Sequence, residues 1–77
     1  MFTVRVAEHD GFHIEFYEAA RILVENVEDR HLARAPGAKV GEKFVEWCDT
    51  NGNWRCASNG KLTIAILNDR GIEIDRF

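Results

Sequence analysis

Gly-containing turn signals recur along the chain at short intervals: Glu8-His9-Asp10-Gly11, Asn51-Gly52, Asn59-Gly60 and Asn68-Asp69-Arg70-Gly71. Each combines a residue that tolerates left-handed backbone with a side chain that can bond its own turn. The segments between them are short and rich in Val, Ile, Phe and Trp, residues that suit a pleated surface. The two ends of the chain are therefore punctuated for antiparallel strands.

A one-residue slip moves every side chain of a strand to the opposite face, so each turn can be tested by whether apolar residues coincide. A three-residue loop after Glu8 pairs Glu8 with Phe12, Val6 with Ile14 and Val4 with Phe16, and sets Arg5 across from Glu15. A two-residue Asp-Gly turn sets Val6 against Glu15 and fails the test. The same reasoning pairs Asn68 with Ile72 and Ile66 with Ile74, and pairs Cys56 with Leu62 and Trp54 with Ile64. For Asn51-Gly52 a two-residue type I′ turn pairs Trp47 with Cys56. These registers predict a four-stranded antiparallel meander over about 43–76. One face holds Val45, Trp47, Trp54, Cys56, Leu62, Ile64, Ile66, Ile72 and Ile74 as a core. The second face carries Phe44, Ala65 and Leu67.

Between the hairpin and the meander lies "YEAARILVENVEDRH". At helical spacing Ala20, Leu23, Val24 and Val27 form an apolar stripe, with an Arg21–Glu25 pair four residues apart. This predicts a helix over about 18–28, packed on the apolar face of the sheet. The expected fold is α+β: an N-terminal β-hairpin, one helix, then the meander. Read as a strand, "RILVENV" is rich in β-branched residues but alternates poorly, and the alternative fold is an all-β small barrel or roll. Residues 1–77 are expected to form a single domain.

Hydrophobic residues make up 45% of the chain, enough for one core and too many for wholesale disorder. No apolar run approaches the roughly 20 residues of a membrane span, and the N-terminus lacks a secretory pattern. Two cysteines do not make a disulfide framework. The expectation is a cytoplasmic protein with reduced thiols and no membrane association.

The motifs of chemistry are sparse. Cys48 and Cys56 lack the Cys-x2-Cys spacing of zinc or redox sites. The predicted register puts them on opposite faces, Cys56 as a core residue and Cys48 beside Arg55 as the more reactive thiol. His9 and His13 flank the first turn with no evident third ligand. No phosphate loop, nucleophile elbow or catalytic triad pattern occurs. No cofactor, metal or catalytic residue is assigned.

Charge is unevenly spread around the net of −3. Residues 1–29 carry −5, while 30–43 carry +3 through Arg30, Arg34, Lys39 and Lys43 against Glu42. Phe2, Phe12, Tyr17, Phe44 and Phe77 are too many aromatics for one small core, so some should form a contact patch. The expected function is a small non-enzymatic protein-interaction module, acting on a protein partner or by self-association as a homo-oligomer. Its contact set would be Arg30, Arg34, Lys39, Phe44, Ala65 and Leu67. Small, acidic, motif-poor domains are common among accessory proteins of phages and mobile elements, an association of size that no residue carries. The alternative is a nucleic-acid-binding sheet using the basic segment 30–43, although the chain as a whole is acidic. A small enzyme or metal-binding protein stands third.

Overall fold

The computed structural model describes residues 1–77. Seven strands, β1 (Phe2–Glu8), β2 (Ile14–Ala19), β3 (Arg21–Asn26), β4 (Lys43–Cys48), β5 (Trp54–Ser58), β6 (Leu62–Leu67) and β7 (Glu73–Arg76), are joined by loops and one 3-10 turn, Asp29–His31. They form two antiparallel sheets, ordered β2-β1-β6-β7 and β3-β4-β5. No helix is long and apolar enough to cross a membrane.

The helix expected over 18–28 is absent, and the fold is nearly all-β rather than α+β. Arg21–Asn26 pairs residue by residue with Lys43–Cys48. An isolated helix of about eleven residues is marginal in water, whereas a β-branched segment beside an open strand gains a ladder and a packed face at once. Val24 lies opposite Val45 and Ile22 opposite Trp47, and Ile22 packs against the core. β2 and β3 are one extended run bent at Ala20, whose N–H donates to the Cys48 carbonyl at 2.7 Å. The bend carries the chain from the first sheet into the second.

The expected meander is divided between the two sheets. β6 does not continue the β4–β5 hairpin but inserts between β1 and β7. Its run Leu62–Leu67 explains why: Ile64, Ala65, Ile66 and Leu67 are all buried. A continuous apolar strand needs cover on both faces and a neighbour on both edges. The β5 ladder ends where Asn59 exchanges backbone and side-chain bonds with Lys43.

Three registers differ from expectation, each for a local reason. The first hairpin closes with Glu8 opposite His13, the Glu8 N–H donating to the His13 carbonyl at 2.9 Å. Gly11 takes φ +78°, a conformation that favours glycine. The Asp10 carboxylate accepts the Phe12 N–H at 2.8 Å and so holds one further residue in the loop. Val4 consequently faces Tyr17, Val6 faces Glu15, and Arg5 faces Phe16. In the β4–β5 hairpin Asp49 pairs with Asn53, and its carboxylate accepts the N–H groups of Asn51 and Asn53. The loop therefore has three residues, and Trp47 faces Arg55 while Cys48 faces Trp54. At the last hairpin the Asn68 N–H donates to the Ile72 carbonyl as expected, but a bulge at Ile66/Leu67 shifts the remainder so that Ile66 faces Asp75. Trp54, Ile72 and Ile74, expected in the core, are exposed.

The core between the sheets is Val4, Ala19, Val45, Trp47 and Ile64, with Val6, Tyr17, Ile22, Ala57, Leu62 and Phe77 packed around it. Part of each outer face is covered by the chain itself. On the second sheet His31 stacks on Phe44 at 4.4 Å between centroids, and the Arg34 guanidinium lies 5.6 Å over the same ring. On the first, Ala65 sits in register between Arg5 and Arg76, and Glu73 bonds both guanidiniums at 2.8 Å. The long side chains arch over Ala65, which is fully buried.

Candidate functional site

The residues expected to form a contact face do not form one. Phe44, Ala65 and Leu67 are all buried, the first two beneath the covers just described, so these residues present no open contact face. Arg30 pairs with Glu25 and, at 3.3 Å, with Glu28. Those hydrogen bonds, Glu25 first, raise its pKa further above the ordinary arginine value. Arg34 pairs with Glu46, and Lys43 donates to Asn26 at 2.8 Å. Only Lys39 in this set is free of a side-chain bond to another residue; its backbone N–H is held by Glu42. The basic segment is largely a strap that fastens residues 28–42 over β4.

The cysteines also move. The register shift places Cys48 and Cys56 on the same face of the second sheet, since Glu46 faces Cys56 and Cys48 faces Trp54. Both are free. Cys48 is buried rather than exposed beside Arg55. The Cys56 thiol donates to the Arg34 carbonyl at 3.6 Å, and burial pushes its pKa up, away from a reactive thiolate.

What lies open is β2. It is the edge of its sheet. The Glu8–His13 bond sets the phase of the ladder: His13, Glu15 and Tyr17 turn their backbone groups to β1, and Ile14, Phe16 and Glu18 turn theirs outward. The next outward N–H, that of Ala20, already binds Cys48. Phe12, Ile14 and Phe16 alternate along this strand and its loop and are 87%, 49% and 62% exposed. Beside the edge runs a groove of about 260 Å³, with Phe16 and Glu18 on one wall and Asp49, Asn53 and Arg55 on the other.

On the inward side of β2 a cleft of about 290 Å³ opens between the sheets. Val6, Leu62, Ala57 and the rings of Tyr17 and Trp47 give it apolar walls; Glu8, His13, Glu15 and Arg55 supply its polar groups. Tyr17 and Trp47 lie 5.4 Å apart at 46°. The Arg55 guanidinium covers the Tyr17 ring at 4.8 Å, and Arg55 joins none of the ion pairs of the chain. The Tyr17 hydroxyl donates to Glu15. Trp47 is 2% exposed, and its Nε1 is the one buried side-chain polar atom without a partner.

A third cluster was invisible to sequence spacing. The four-residue loop brings Glu8, Asp10 and His13 together, their ligand atoms within 4.8 Å of one another. His13 Nδ1 stands 3.1 Å from Glu8 and 3.2 Å from Asp10. The Phe12 N–H, ahead of His13, lowers the Asp10 pKa. These groups are exposed and satisfy one another, which accounts for their proximity without an ion.

No protein-family model, curated protein or solved structure matches the chain.

Proposed function

We propose that the protein is a non-enzymatic interaction module of the reducing cytoplasm, and that β2 receives an extended segment of a protein partner as an added strand. The observation that carries this reading is the open edge of β2, with three outward backbone positions beside exposed Phe12, Ile14 and Phe16. Strand addition takes affinity from main-chain bonds and specificity from alternate side chains. Native sheets usually blunt an edge with lysine, proline or a bulge. β2 has no lysine, proline or bulge, and the only charges that guard it are the acids Glu15 and Glu18. A complementary segment would alternate apolar residues with Lys or Arg.

The internal pairing of Arg30 and Arg34 favours this reading over nucleic-acid binding, which would need those cations for phosphates. The test is a selection of random peptides displayed against the parent protein and against Phe16→Lys. Extended, basic, alternating peptides that bind the parent and lose the variant are expected. Peptides that bind both proteins equally, or no peptides at all, would remove β2 as the docking element. A second copy of β2 does not supply such a segment, because its own charges are Glu15 and Glu18.

A further inference from the structure

The cleft between the sheets carries a separate inference, which stands even if β2 docks nothing. Trp47 is a core residue with an indole N–H that has no acceptor. Buried donors are nearly always paired, and an orphan calls for a physical account. Trp47 forms part of the cleft wall, and so does Arg55, whose guanidinium carbon lies 4.8 Å from the centre of the Tyr17 ring and which joins no ion pair of the chain. The fork of a guanidinium matches the two oxygens of a carboxylate. The Arg55 guanidinium and the wall formed in part by Trp47 thus border one concave, half-apolar space.

The neighbouring acids narrow the choice. Glu15 is occupied by the Tyr17 hydroxyl, and Glu8 by His13. Their charges stand on the same rim and disfavour a ligand with several negative charges, such as a phosphate ester. A single negative charge next to Arg55 escapes most of this repulsion. Behind it Val6, Ala57, Leu62 and the two aromatic rings offer an apolar lining. A volume of about 290 Å³ suits one side-chain-sized body.

We infer that this cleft binds a monocarboxylate with a compact apolar body, its carboxylate accepting from Arg55 and its body packing against the wall that includes Trp47. The same chemistry is presented by a free aryl or alkyl carboxylic acid and by the C-terminal residue of a peptide.

The experiment is a titration of the ¹⁵N-labelled chain with phenylacetate, phenylacetamide and the tripeptide Gly-Gly-Phe, followed by the indole N–H resonances. Trp54 is on another face and serves as the internal control. A ligand this small binds at about the millimolar level. The expected result is a shift of the Trp47 indole resonance with phenylacetate, a static Trp54, and weaker binding of phenylacetamide. Arg55→Leu, at an exposed position, should keep the fold and weaken phenylacetate about tenfold, the loss of a charge-assisted bond. Tighter binding of the tripeptide than of phenylacetate assigns the site to peptide C-termini, and the reverse order assigns it to free acids. A Trp47 resonance that none of the three ligands moves overturns the inference. So does phenylacetamide binding as well as phenylacetate, or Arg55→Leu binding phenylacetate unchanged.

Discussion

His31 lies almost flat on Phe44, with ring centroids 4.4 Å apart and planes inclined by 17°. His31 is buried, and both of its nitrogens have neighbours. Nδ1 accepts the Glu28 N–H at 2.9 Å, which places the proton of the neutral ring on Nε2, 3.6 Å from Glu25. This one side chain locks the start of the 28–42 strap onto β4, and with Arg34 it is the reason Phe44 is covered.

The strap should therefore be stabilising. Phe44→Ala is expected to lose about 3–5 kcal/mol, as for other buried aromatics. His31→Ala is expected to lose about 1–3 kcal/mol, because the Glu28 N–H loses its acceptor. Urea denaturation measures both. A His31→Ala protein as stable as the parent would show the strap to be ornamental and leave Phe44 available as a contact residue.

Much of this was readable from the residues, and the failures have physical causes. The positions of the turns followed from Gly and Asn, and Asn68 does pair with Ile72. Two of the loop lengths did not follow, because a carboxylate can hold one more residue than an idealised turn contains. Asp10 does so for Phe12, and Asp49 for Asn51 and Asn53. Each added residue moved Tyr17 or Arg55 to the face that now lines the cleft, so the cleft could not be read before the registers. The helix expected over 18–28 failed differently. Its stripe was a local signal, and the competing ladder with Lys43–Cys48 is long-range. Of the aromatics counted as surplus, Phe2 and Phe12 are exposed and Phe44 is buried, while Phe16, expected opposite Val4 on the core face, is exposed because the longer loop turned it outward.

The bulge in the last hairpin separates two isoleucines that an unbroken register would place together. Ile66 is 6% exposed and faces Val4; Ile74 is 53% exposed. Ile66→Ala should lose about 2–5 kcal/mol, and Ile74→Ala should stay within about 0.5 kcal/mol of the parent. Equal losses at the two positions would mean that the bulge is absent in solution.

Acid should loosen the hairpin ends. The Asn53 backbone N–H, then its side chain, lowers the Asp49 pKa from the ordinary 3.8. Hydrogen bonding to Arg76 lowers that of Glu73 from 4.5. A carboxyl group with a depressed folded pKa is protonated first in the unfolded chain. Its contribution is complete above the ordinary value and is lost as pH falls through the folded one. Melting temperature should accordingly decline below about pH 4.5. Asp49→Ala should be less stable than the parent at neutral pH and should decline less on acidification. Parallel pH profiles for the two proteins would show that the Asp49 bonds contribute nothing.

The backbone at β2 can be tested apart from its side chains. The N–H of Glu18 points away from β1, and no residue of the chain accepts it if the phase set by Glu8 and His13 holds. Proline is tolerated on an edge strand where its missing N–H faces outward, and it disfavours only a helical conformation in the preceding residue, which Tyr17 does not have. Glu18→Pro should therefore fold with a melting temperature close to that of the parent. Thr3→Pro, on the central strand β1 between β2 and β6, should not, because it deletes a ladder bond. If β2 receives an added strand, Glu18→Pro should weaken the peptides selected against the parent even though it leaves Phe12, Ile14 and Phe16 in place. Isothermal titration with one such peptide gives the answer. Undiminished affinity would mean that the apolar side chains alone make the contact and that no strand is added.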